Sequence, residues 1–175
     1  IGVSVAGGLS IVAAGRDSIR DRVAFVVSFG GHGDLERVMR YCATGDAPRV
    51  PGRDTRPPHD YGVAVVLYGL ADQGIVPAEQ VPALRAGIAT FLLASQLTLV
   101  DTTRAETTFA EARRLAAGLP EPSATLLTHI NDRSVKALGA ILAPHVAAMR
   151  VDPSTSPEHA PGLPAAPDRK STRLN

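Results

Sequence analysis

Cysteine, tryptophan and lysine are nearly missing from this sequence, and each shortage closes a class of explanation. One cysteine, Cys42, in 175 residues leaves no partner for an internal disulfide and too few thiolates for a cysteine-based zinc site. Tryptophan is absent and aromatic residues make up 4%, so a core must be assembled from Ala, Val, Leu and Ile. No apolar run approaches the roughly 18 residues that a membrane-spanning helix needs. The formal net charge is +1, which supplies no field for nucleic acid or an anionic lipid surface. Only Lys136 and Lys170 are lysines, and the other 16 of the 18 basic residues are arginine. Together with abundant Ala, Gly and Pro, this reads as the codon bias of a GC-rich, bacterial-like genome. What is present is ordinary for a folded chain: 45% hydrophobic and 20% charged residues rule out wholesale disorder.

Both ends suggest a piece of a larger protein. The chain starts at Ile1 and enters a motif-like turn at once, Gly2-Val3-Ser4-Val5-Ala6-Gly7-Gly8. The last eight residues, Asp168-Arg169-Lys170-Ser171-Thr172-Arg173-Leu174-Asn175, match a translated sequencing adapter, GATCGGAAGAGCACACGTCTGAAC, in one frame. We therefore expect 168–175 to be an artefact and set it aside from fold reasoning. Its Arg169, Lys170 and Arg173 against Asp168 carry +2, which leaves −1 on the remaining chain. No secretory leader is visible, but an expected truncation at the N-terminus makes that absence uninformative; localisation stays open, with the cytoplasm favoured.

Along the chain, Leu9–Ala14 reads as a small-residue helix stopped by Gly15. Val23-Ala24-Phe25-Val26-Val27-Ser28-Phe29 is apolar on both faces, as in a buried strand of a parallel sheet, and ends in Gly30-Gly31-His32-Gly33. From Asp34, a plausible N-cap, the period becomes helical through Leu35, Val38, Met39 and Cys42. Residues 46–58 form a Pro/Arg/Gly loop. Further helices are expected over His59–Gly74, from Pro77 through Leu97, over Thr102–Gly118 and over Ser123–Ile130. Asn131 or Asp132 would cap a last helix that Pro144 must kink or split. Residues 151–167 carry five prolines and read as an extended linker.

The chemistry sits at the start. Gly2-x-Ser4-x-Ala6-Gly7 matches the nucleophile elbow G-x-S-x-G with Ala in the last slot. A serine on a sharp strand-to-helix turn holds strained φ/ψ and presses its neighbours two residues away together. Only Gly or Ala fits those places, here Gly2 and Ala6. The Val5 N–H then shares the space of Ser4 Oγ and forms half of an oxyanion hole, aided by the helix N-terminus. Gly7 and Gly8 let that helix pack closely. In the order elbow, helix, buried strand, glycine turn and helical insertion, the chain resembles the alpha/beta-hydrolase fold superfamily.

That resemblance implies a fold class and a division of the chain. Residues 1–33 would be a partial α/β hydrolase core, a fragment of a parallel sheet. A mostly α-helical cap would fill 34–150, with 151–167 the linker toward a following strand. It implies Ser4 as nucleophile and Val5 as oxyanion donor in a parent that hydrolyses a small-molecule ester, amide or related acyl bond. The acid and histidine follow the cap in this family, so this chain by itself is expected to be inactive. An unpartnered strand at Val23–Phe29 also makes it aggregation-prone.

His32 and Asp34, at the end of the expected strand, are candidate pocket residues. A loop histidine and a helix cap are the simpler roles. His59-Asp60, and His129 with Asn131-Asp132, match no metal-ligand spacing, and neither metal nor cofactor is expected. Cys42 falls on an apolar stripe as a small core residue. Glu111, Arg113 and Arg114 read as a solvated helix face. The oligomeric state is not legible. A different class stays open: a non-catalytic helical ligand-binding or protein-interaction module with a coincidental or degenerate elbow. Flanking coding sequence would discriminate, since the enzyme requires a later Asp and then a late His.

Overall fold

A computed structural model describes residues 1–45, 58–149 and 151–162. Most of the loop expected at 46–58, the end of the linker (163–167) and the adapter-like tail (168–175) lie outside the described residues. Of the described residues, 68% are helical and 3% lie in strands. It divides into two compact units: Ile1–Val38 with the described part of Arg150–Asn175, and Met39–Met149.

The first unit opens with strand β1 (Gly2–Val3) and helix α1 (Val5–Ala14), which Gly15 closes. After a 3-10 turn at Arg20–Arg22 comes β2 (Ser28–Phe29), and helix α2 (Leu35–Thr44) begins in this unit. β1 and β2 run parallel, with Gly2 opposite Ser28 and Val3 opposite Phe29. This corrects the expected fold class. The chain is mainly helical and is not a fragment of an α/β sheet.

Of the apolar run Val23–Phe29, only the last two residues enter a ladder. The physical reason is pairing. A strand exists through its neighbours, and β1 offers a register of two residues. Val23–Val27 carries no regular secondary structure, and Phe25, Val27 and Phe29 stay exposed. Residues 151–162, within the expected linker, carry a 3-10 turn at Pro153–Thr155 and hydrogen bonds back to the loop after β2.

The second unit is a helical assembly: α3 (Asp60–Leu70), α4 (Val81–Leu97), α5 (Thr102–Gly118), α6 (Ser123–Asn131) and α7 (Val135–Ala148). A tight turn through Ala71–Ile75, with Gly74 at φ 78°, ends α3. α4 and α5 form a helical hairpin across Thr98–Asp101, and the Asp101 carboxylate accepts the Arg104 N–H at 3.0 Å to cap α5. Apolar stripes at helical spacing meet inside. Val63, Val66 and Leu67 of α3, Leu84, Ile88 and Phe91 of α4, and Leu138 and Leu142 of α7 are all buried.

The last helix begins after Ser134, not at Asn131 or Asp132. Asn131 belongs to α6, and its Nδ2 donates to the carbonyls of Ala112 and Leu127. α7 runs through Pro144 as one helix. Among the described residues, no helix is long and apolar enough to cross a membrane.

Candidate functional site: a serine between strand and helix

Ser4 stands between β1 and α1 with φ 56° and ψ −132°. A Cβ-bearing residue reaches that region only at a cost of about 1–3 kcal/mol, and such strain persists where the surroundings over-determine it. Here the surroundings are visible. Gly2 N–H donates to the Val27 carbonyl at 2.8 Å and Ser4 N–H to the Phe29 carbonyl at 2.9 Å, so the ladder holds the serine's backbone on one side. On the other, Gly7 N–H donates to the Ser4 carbonyl at 2.8 Å and closes the first turn of α1.

Glycine is required two residues before the serine. A Cβ on Gly2 would collide with the Ala6 carbonyl and Ser10 Oγ. The two positions flanking Ser4 are thus pressed together, as the motif's spacing demands.

Ser4 is exposed, and its side chain makes no capping hydrogen bond to α1. A serine that serves as an N-cap recovers its position through such a bond. Ser4 bears the strain without it, so its hydroxyl is left to face solvent. Among the described residues, the N–H groups of Val5 and Ala6 have no backbone acceptor. They are orphan donors at the positive end of α1, suited to an oxyanion forming beside Ser4 Oγ.

Gly7 and Gly8, both buried, seat α1 on the loop after β2. A Cβ on Gly7 would lie 2.8 Å from Ser28 Oγ and 2.9 Å from Gly31 Cα. One on Gly8 would fall into the His32 imidazole.

His32 is 7% exposed, with Nε2 3.0 Å from the Thr155 carbonyl and a buried Nδ1 that has no partner. It packs against α1 and makes no hydrogen bond with Ser4. Asp34 does what an N-cap does: its Oδ1 accepts the Arg37 N–H at 2.9 Å. Its other oxygen faces the Arg37 guanidinium at 3.3 Å and His159 Nε2 at 3.2 Å. The Arg37 backbone N–H foremost, then His159 and the Arg37 charge, hold the Asp34 carboxyl below its ordinary range against the opposing effect of burial.

Sequence reasoning missed His159, Glu158 and Ser156. They line or adjoin a cavity of about 180 Å³ together with Asp34, Glu36, Val151 and Pro153. Only the clustered polar residues of Ser154–His159 between prolines hinted at them. Asp34, Glu158 and His159 bring potential ligand atoms within 4.8 Å of one another. The Arg37 guanidinium already lies 2.5 Å from Glu158 and 3.3 Å from Asp34, so a cationic side chain serves both carboxylates.

In the second unit, burial pushes the Cys42 thiol up, away from the reactive thiolate. Arg114 pairs with Glu111 on an exposed face. His59 stacks on Tyr61 at 5.6 Å between centroids. No protein-family model, curated protein or solved structure matches the chain.

Proposed function

We propose that Ser4 is the nucleophile of a serine hydrolase acting on an ester, amide or related acyl bond of a small molecule. The observation that carries this is the strained serine that caps nothing: positive φ, an exposed hydroxyl, and unengaged N–H groups at the start of the following helix. Attack by Ser4 Oγ would form a tetrahedral intermediate whose oxyanion the Val5 N–H is placed to stabilise. The serine proton passes to a base, which returns it to the departing alcohol or amine as the intermediate collapses and that acyl bond breaks; water then attacks the acyl-enzyme, releasing the acid and restoring the Ser4 hydroxyl.

Among the described residues, no histidine hydrogen-bonds to Ser4. In the hydrolase superfamily that the elbow resembles, the acid and the histidine follow the helical cap, and the base and acid for Ser4 are assigned there by that resemblance. The test is made in the full open reading frame that carries this segment. Ser4→Ala should lower turnover of p-nitrophenyl acetate by about 10³-fold or more. Unchanged turnover would overturn the reading and favour the helical binding module.

A further inference from the structure

Residues 151–162 form a strap across the loop after β2. Ser156, 2% exposed, accepts the Leu35 N–H on its Oγ at 2.9 Å, and Glu158 N–H donates to the Gly33 carbonyl at 3.0 Å. Between these anchors and α1 stands one buried ring. His32 Nε2 lies 3.0 Å from the Thr155 carbonyl. A carbonyl only accepts, so Nε2 carries the proton, which leaves Nδ1 bare in the neutral ring. That Nδ1 is buried without a partner. The same edge of the ring faces Gly8, where any Cβ would strike Cε1 and Nδ1. The imidazole is thus held on one side by the strap's backbone and pressed on the other against the second turn of α1. It tolerates an unsatisfied nitrogen to do so.

We propose that His32 is a positioning residue coupling the strap to the elbow helix, so that the seat of α1, and with it Ser4, depends on the turn at Pro153–Thr155. The turn itself is set by Asp152. Its carboxylate accepts the Ser154 N–H at 2.9 Å, and its carbonyl accepts the Thr155 N–H at 3.0 Å and Thr155 Oγ1 at 2.6 Å. Two properties of the ring matter separately: a flat body that fits over glycine, and a donor on the far edge that reaches the strap. This coupling deepens the nucleophile reading, but its test reads the helix and needs no turnover, so the two can fail separately.

Amide hydrogen exchange of the full chain in dilute solution tests it. His32→Phe keeps a flat ring and removes the donor. It should speed exchange along α1 by about tenfold, the loss of one buried hydrogen bond. His32→Gln, which restores a donor near the same place, should recover part of that protection. Asp152→Ala should speed α1 exchange in the native background and add little to His32→Phe, because both act through one contact. Exchange in α5 should stay at its native rate in every variant. Native-rate exchange of α1 in His32→Phe overturns the coupling. So do fully additive effects of the two substitutions, and so does an equal acceleration of α5, which would mark a global loss of stability.

Discussion

At the scale of the residue, Ser4 and Arg133 are the described residues other than glycine that hold a positive φ, and Ser4 does so at the elbow. Its φ of 56° is one that glycine adopts freely and serine does not. If the strain is kept for chemistry, removing it should stabilise the protein. Ser4→Gly is expected to gain about 1 kcal/mol, the relieved strain less the extra chain entropy of glycine in the unfolded state, while Ser4→Ala keeps the strain and gains nothing. Urea midpoints of the two variants measure the difference, and equal midpoints would count against a strained elbow. This part of the site was legible in sequence because the steric demand is local: Gly2, Ser4 and Ala6 lie within one turn of each other. The Asp34–His159 contact was not, because it joins two segments far apart along the chain through a fold that no periodicity encodes.

At the scale of the element, the helices were readable and the strand was not. α3 to α7 declare themselves by apolar spacing, since a helix satisfies its own backbone and needs only one face buried. Val23–Phe29 has the composition of a strand, but a strand's hydrogen bonds belong to its neighbours, and composition does not supply them. α2 has two side-chain partners at its start, the Asp34 carboxylate on the Arg37 N–H and Ser156 Oγ on the Leu35 N–H. Its N-terminus depends on the Asp34 carboxylate, whose folded-state pKa is depressed below the ordinary 3.8. A depressed carboxyl stabilises fully above its unfolded value, and this contribution is lost as pH falls through the lower folded value. Stability should therefore decline through this group on acidification below about pH 4. Asp34→Asn should show a lower plateau near neutrality and a flatter acid limb. Thermal melts from pH 2 to 7, a window about the ordinary carboxyl value, compare the two proteins. An unchanged acid limb in Asp34→Asn would rule out this role.

At the scale of the whole molecule, apolar burial and candidate chemistry are held by different stretches of chain. The continuous hydrophobic core runs from Ala43 to Val146, all within the second unit, and Arg133 adds to it by lying over the rings of Phe91 and Phe109 while pairing with Asp60. Among the described residues of the first unit, Ala14 is the buried hydrophobic residue. The rest of that unit is held by close glycine contacts, backbone bonds and polar clasps, while Phe25, ahead of β2, and Phe29, within it, stand 69% and 57% exposed. Such a surface should drive self-association. Light scattering of the full chain is expected to show mass rising with concentration, and Phe25→Lys with Phe29→Lys should suppress the rise. A concentration-independent monomer would contradict this. The placement of the core also governs how the chain responds to random substitution. Losing side-chain volume harms Met39–Met149, whose core tolerates exchanges among aliphatic residues. Adding volume harms the elbow, where a single methyl group at Gly2, Gly7 or Gly8 meets backbone or ring. A mutational scan would therefore show the elbow intolerant of added volume and Met39–Met149 intolerant of lost volume, with Gly139, where a Cβ would strike the Ala43 carbonyl oxygen, a position in the second stretch that also resists growth.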